Sequence, residues 1–185
     1  MDRVGGIDEP AWRPNLSWIT GSLAVGGRFP SAGAEHLAAA LEIRAVVDLR
    51  GEDRDDESLL IRHGITFLHL PTPDHGALSA GMLEDGVGFV GRHLDGGDRV
   101  LIHCEHGIGR SPTLALCVLV ERGMEPLEAL ELAKCRRSLV SPSPAQYECW
   151  ARWLAHFARV NHAGWEVPSF EAFKTIAYRH LRSPA

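Results

Sequence analysis

The sequence predicts a single α/β domain, a central, mostly parallel twisted sheet of about four to five strands flanked by helices. Three observations predict it. The runs "RAVVDL" (44–49), "ITFLHL" (65–70) and "RVLIHC" (99–104) are apolar without strict alternation, as in strands covered on both faces. Stretches of helical periodicity separate them. The chain's 185 residues, 45% of them apolar, suffice for one full core.

The elements follow in order. "WITGSLAVGG" (18–27) reads as two short strands broken at Gly21. Ser31 stands where it can cap a helix running to about Leu41, with Ala34, Leu37, Ala38 and Leu41 on one face. The acidic run "EDRDDE" (52–57) reads as a helix start favoured by the helix dipole, with Gly64 at the stop. "PTPDHGALSAG" is a loop by its prolines and glycines, and Leu83, Val87, Val90 and Leu94 then recur at helical spacing up to "DGG". Three helices are expected after the last strand. The first (about 110–122) is apolar nearly all round and hence central, and the second (about 125–137) has Pro126 early and basic residues late. The third (about 143–158) opens with Ser143, Pro144 and Gln146, the pattern of a capping box. A polar turn leads to a final amphipathic helix carrying Phe170, Phe173, Ile176 and Ala177. The expected division is a domain over 1–160 with a helical extension, 161–185, packed on it.

Composition excludes several classes. The net charge is −5 with both signs interspersed, which argues against nucleic acid or an anionic membrane surface as partner. No run is long and apolar enough to span a bilayer, and "MDRVGGIDEPAWRPN" lacks the apolar core of a secretion signal, so a cytoplasmic protein is expected. The four cysteines show no C-x-x-C spacing and the ten histidines no paired-ligand pattern, so neither a metal nor a disulfide framework is indicated. Cys117, Cys135 and Cys149 read as small buried hydrophobes. Asn15-Leu16-Ser17 has the form of a glycosylation acceptor, which without a signal is a chance match.

The chemistry concentrates in "LIHCEHGIGRSPT" (101–113), where a buried strand runs into a glycine-containing loop and then a helix. Such a turn gathers backbone N–H groups and a helix N-terminus around one point, which suits an oxyanion. Gly107 and Gly109 let the backbone curl inward. Arg110 offers a planar fork to two phosphoryl oxygens. Cys104 opens the loop in a positive field that lowers its pKa, giving a thiolate nucleophile. Ser111 can donate to that sulfur and ease its departure, and His103 is assigned to holding the loop in shape rather than to proton transfer. The residues between Cys104 and Arg110, namely Glu105, His106, Gly107, Ile108 and Gly109, are expected to surround the bound substrate.

"HCEHGIGRS" resembles the signature loop H-C-x-x-G-x-x-R-[ST] of the cysteine-dependent protein tyrosine phosphatase superfamily. The order of elements from about Trp18 to Phe157, without long insertions, is similar to that of the small atypical dual-specificity group. The resemblance implies a phosphatase without metal or other cofactor, working through a phosphocysteine formed on Cys104, with Arg110 as phosphate clamp and Ser111 as the hydroxyl. It also implies a general acid on an upstream loop, and Asp74 in "PTPDHG" is the candidate; as ordinary turn chemistry Asp74 would need no such role. Glu84 and Asp85 fall within the following helix. Some family members carry a water-positioning glutamine near Gln146, but the capping reading is preferred here. His75 either steadies substrate or faces water.

Glu105 replaces the lysine of the phosphoinositide branch and would repel highly charged headgroups. The expected partner is therefore a phosphorylated protein, carrying phosphotyrosine or phosphoserine/threonine, or a small phosphomonoester. The alternatives are a phosphoinositide or inositol phosphatase on the same fold, a non-catalytic phosphate-binding module, and a rhodanese-like sulfur carrier.

Overall fold

The protein is described by a computed structural model covering residues 12–181. The segment read above for a secretion signal falls mostly on residues 1–11, outside the described residues. Five strands form one sheet in the order β1-β2-β5-β3-β4: β1 (Leu16–Trp18), β2 (Leu23–Gly26), β3 (Ile43–Arg50), β4 (Thr66–Thr72) and β5 (Arg99–His103). All neighbours are parallel except β1 with β2. The carboxyl ends of β2, β3, β4 and β5 therefore point the same way, and the site lies there.

The strands alternate although their sequences look uniformly apolar. Ala45 and Val47 of β3, with Val100 and Ile102 of β5, face one core, while Val46 and Leu101 face the other. The smaller core is covered by α1 (Gly33–Ala39) and α2 (Glu57–Arg62) through Ala34, Leu37 and Leu60. The larger is covered by α3 (Ala80–Asp95), α4 (Arg110–Glu121), α5 (Pro126–Arg136), α6 (Pro144–Asn161) and α7 (Phe170–Ala177). Its central element is α4, buried from Arg110 through Val120, as its all-round apolarity implies.

Three local expectations are corrected. Helix α1 begins two residues after Ser31, with Ala32 as N-cap and no side-chain cap; Gly33 and Ala34 instead donate to the carbonyls of Pro30 and Ser31. The acidic run 52–57 is not a helix start as a whole. Helix α2 begins at Glu57 with Asp56 accepting from Leu59 N, and the preceding carboxylates are drawn elsewhere. Cys135 is exposed, whereas Cys117 and Cys149 are buried as expected.

Helix α7 packs Phe173 and Ala177 into the larger core beside Trp150. A buried ammonium ties it down. Lys134 Nζ donates to Val140 O and Ala177 O, both at 2.7 Å, and lies 2.6 Å from His180 Nδ1. Tyr178 adds a hydrogen bond from its hydroxyl to Pro142 O at 2.6 Å.

Candidate active site

The chain leaves the sheet at Cys104, directly after β5, turns through a loop and enters α4 at Arg110. Gly107 takes φ +70°, a region that favours glycine, and a Cβ there would meet Gly26 C at 2.5 Å. Gly109 differs from expectation: its φ is −122°, open to any residue, and a Cβ there would displace the Gln146 amide. The outer side of the loop is braced by Arg137, whose Nε donates to Gly107 O at 2.7 Å and whose Nη2 donates to His106 O and Asn15 Oδ1, each at 2.8 Å. Asn15 thus serves an internal bond.

Cys104 is buried, with Sγ 3.3 Å from Ser111 Oγ and accepting from Gly107 N at 3.3 Å. Burial opposes ionisation of this thiol, but the Ser111 hydroxyl, the backbone N–H groups of Ser111 and Gly107 and the Arg110 charge outweigh it and hold its pKa below the ordinary value.

Arg110 is 1% exposed, and its fork is largely spoken for. Nη1 donates to Glu52 Oε2 at 2.7 Å and to Thr72 O at 2.9 Å, and Nη2 donates to Glu52 Oε1 at 2.7 Å. Asp74 Oδ1 lies 3.1 Å from Nη2. Nε is buried without a hydrogen-bond partner among the described residues. Hydrogen bonding from Arg110 holds the Glu52 carboxyl down to about 2.

His103 is fully buried between two acceptors. Nε2 is 2.7 Å from Asp55 Oδ2 and Nδ1 is 3.3 Å from Cys104 O. Burial disfavours its charge, but Asp55, with help from Asp48, raises its pKa, and the two acceptors call for the doubly protonated ring. Arg50 supplies the remaining positive charge, donating to Asp48 through Nε at 3.0 Å and Nη2 at 2.9 Å, to Asp53 at 2.8 Å and to Asp55 at 2.6 Å. The loop's first carbonyl therefore rests on a buried charge network rooted in β3.

A cavity of about 280 Å³ opens at the thiol, lined by Asp74, His75, Cys104, His106, Ile108, Gly109, Arg110, Ser141 and Gln146. Of the expected site residues, Glu105 stands aside: its carboxylate pairs with Arg28 at 2.8 Å and lines a neighbouring cleft of about 540 Å³ with Glu52 and Asp74. Glu84 and Asp85 lie within α3, outside the cavity lining. Gln146 completes the capping box with Ser143. The sequence pattern did not point to Glu52, Asp55 or Arg137. The signal available for Asp55 was Asp48 and Arg50 at the end of a mostly apolar strand, since buried charges require partners.

Residues 31–124, half of the chain, match the family described as "Polymorphic toxin system, DSP-PTPase phosphatase". The chain belongs to this family. Over 79 residues this DSP-PTPase phosphatase chain is 37% identical to the dual specificity protein phosphatase 1 of Mus musculus, a match spanning 42% of this chain and 22% of that protein. It is 33% identical over 76 residues to a probable protein tyrosine phosphatase type IVA A of Dictyostelium discoideum, covering 40% and 46% of the two chains. Among solved structures it resembles Tk-PTP in the active form, with 27% identity, a TM-score of 0.69 and coverage of 76% of this chain and 96% of that one. PTPMT1 in complex with PI(5)P shares the fold at 22% identity and a TM-score of 0.74, over 80% and 99% of the two chains. The described residues include no helix long and apolar enough to cross a membrane.

Proposed function

We propose that the protein hydrolyses phosphomonoesters, phosphotyrosine or phosphoserine/threonine in proteins, through a phosphocysteine on Cys104, without a metal. The observation that carries this reading is the meeting, in one cavity, of a stabilised thiol with a buried guanidinium whose Nε has no partner among the described residues. A donor left unpaired in that position suits an oxyanion, since an unmet buried donor is otherwise costly.

In the first step Sγ attacks phosphorus and the bond from phosphorus to the ester oxygen breaks, with Asp74 giving its proton to the departing oxygen. An incoming phosphoryl group competes with Asp74 for Arg110 Nη2 and frees the carboxyl to face that oxygen. In the second step Asp74 takes a proton from water, the water oxygen bonds to phosphorus, and the thiolate leaves toward Ser111 Oγ. The backbone of residues 105–109 and Arg110 hold the three equatorial oxygens. His103 supports the loop from below. Glu52 and Asp74 at the mouth disfavour multiply charged inositol headgroups.

The test is phosphate release from a small aryl phosphate, in chelator, by wild type, Cys104→Ser and Asp74→Asn across pH 5–8. Release that persists in chelator, vanishes in Cys104→Ser and loses its acidic-pH profile in Asp74→Asn supports the reading. Failure of wild type to turn over while still binding phosphate overturns it in favour of a binding module. A rate on an inositol phosphate far above that on any phosphopeptide overturns the substrate class.

A further inference from the structure

The Asp74 carboxylate lies 3.1 Å from Arg110 Nη2, a contact the substrate would take, and the exposed turn that carries it packs no side chain into the core among the described residues. Thr72 and Leu78 are buried, but Pro73, Asp74, His75 and Ala77 between them are exposed, Gly76 is half-buried, and the His75 side chain is 86% exposed. The loop is a tight turn closed by Gly76 N donating to Pro73 O at 2.9 Å, and His75 within it adopts φ +56°, a left-handed conformation that non-glycine residues seldom adopt. Such a segment opens readily unless something outside it holds it. A general acid on it requires placement to within a fraction of an ångström.

What holds it is the start of α6. Ser143 Oγ accepts from Gln146 N at 3.2 Å and Gln146 Oε1 accepts from Ser143 N at 2.9 Å, the reciprocal bonds of the capping box. Each side chain retains donor capacity. The Ser143 hydroxyl donates to His75 O at 2.8 Å, and Gln146 Nε2 donates to Gly76 O at 3.2 Å. These are the two carbonyls that follow Asp74. The same glutamine abuts Gly109 of the phosphate loop, and Ser141, two residues before the cap, donates its N–H to Ile108 O at 2.9 Å. One short stretch of chain therefore touches both the acid loop and the phosphate loop.

We propose that Ser143 and Gln146 are positioning residues that clamp the acid loop to the phosphate loop and so hold Asp74 against the leaving oxygen. This rests on Asp74 being the general acid. It also gives Gln146 a task other than orienting water, because both ends of its amide are engaged. Cap and clamp are chemically separable: a carboxylate in either position still accepts the capping N–H but has no proton for the loop carbonyl.

The experiment compares wild type with Ser143→Asp, Gln146→Glu, Ser143→Thr and Asp74→Asn on a series of aryl phosphates from strongly to weakly acidic phenols, with thermal unfolding of each. A poor leaving group needs the acid and a good one does not. The expected result is that kcat/KM of Ser143→Asp and Gln146→Glu falls about 10-fold on the least acidic phenol and by less than about threefold on the most acidic. Ser143→Thr, which keeps both cap and donor, restores the wild-type slope. An added charge at the mouth weakens binding of every substrate alike and leaves the slope unchanged. Equal losses across the series, or none, overturn the clamp. If Asp74→Asn itself shows no leaving-group dependence, the acid reading fails and the clamp with it; a steep dependence in Asp74→Asn with flat profiles in the other two defeats the clamp alone.

Discussion

Replacing Ser111 by alanine isolates the stabilisation of the thiolate. The Ser111 hydroxyl has one proton and two acceptors in reach, Cys104 Sγ at 3.3 Å and Gly26 O at 3.4 Å. Toward a neutral thiol the proton goes to Gly26 O, and Sγ–H donates to the hydroxyl. Ionisation turns the proton to sulfur. Gly26 O keeps a second donor, Cys104 N at 3.3 Å, so it is not stranded by the exchange. The thiolate then gains a hydrogen bond to a charged acceptor, about 1.5–3 kcal/mol, and gives up a neutral one of about 0.5–1.5 kcal/mol. The difference, about 1 kcal/mol, corresponds to about a fivefold change in thiolate fraction at pH below the thiol midpoint. Ser111→Ala is therefore expected to slow alkylation of Cys104 by iodoacetamide about fivefold on the acid side of the rate–pH curve, below its midpoint, and to leave it unaffected on the alkaline plateau, where the thiol is fully ionised. Mass spectrometry of the modified peptide separates Cys104 from exposed Cys135. An alkylation rate at low pH equal to or above that of wild type would refute the reasoning, placing the proton on Gly26 O in both states.

Further outcomes follow from the charges around the site. Glu52→Gln loosens the bidentate grip on Arg110, and with Glu52 partly exposed the expected cost is about 1 kcal/mol, read as about a fivefold loss in kcat/KM with little change in the urea midpoint. Because Glu52 is ionised down to about pH 2, it contributes no limb to a pH profile between 5 and 8. Asp55→Asn leaves the His103 imidazolium buried without its nearest carboxylate and should cost about 3 kcal/mol in urea unfolding. The pH dependence has a fixed sign. His103, raised above its ordinary 6.5, stabilises the fold fully below that value and loses this as pH rises through the folded value. Asp48, lowered from 3.8, stabilises the fold above that value and loses this as pH falls through the folded one. The His103 contribution to the urea midpoint is thus expected to fall on the alkaline side, and Asp55→Asn should remove that part of the pH dependence relative to wild type.

The strands and most helices were legible because their signals are local. Apolar runs mark β3, β4 and β5, and Ser143 with Gln146 announces a cap within one turn of chain. The turn from Cys104 to Ser111 was legible for the same reason, its parts lying within eight residues. Long-range pairing was not. In the run 52–57, the composition of a helix start conceals separate destinations: Glu52 reaches Arg110, Asp53 and Asp55 reach Arg50, and only Asp56 caps α2. Arg137 looked like an ordinary basic helix end, and nothing near it in sequence shows that it braces Gly107. Glu105 was assigned a repulsive role from its place in the loop, but Arg28, from the far end of β2, turns its carboxylate aside.

The Lys134 ammonium bears on how this protein comes apart. Its partners are the carbonyls of Val140 and Ala177 and the His180 ring, so its charge is balanced by dipoles from two segments at once. Burial pushes its pKa down to about 8. Peeling away α7 would strip two of its three partners, which makes fraying of the last helix by itself unfavourable. The segment 137–143 would lose Tyr178 in the same event, and with it the support behind Ser141 and Ile108. Helix α7, that segment and the loop from Cys104 to Arg110 are therefore expected to open as one unit, which would couple the pocket to a helix distant from its lining residues in sequence.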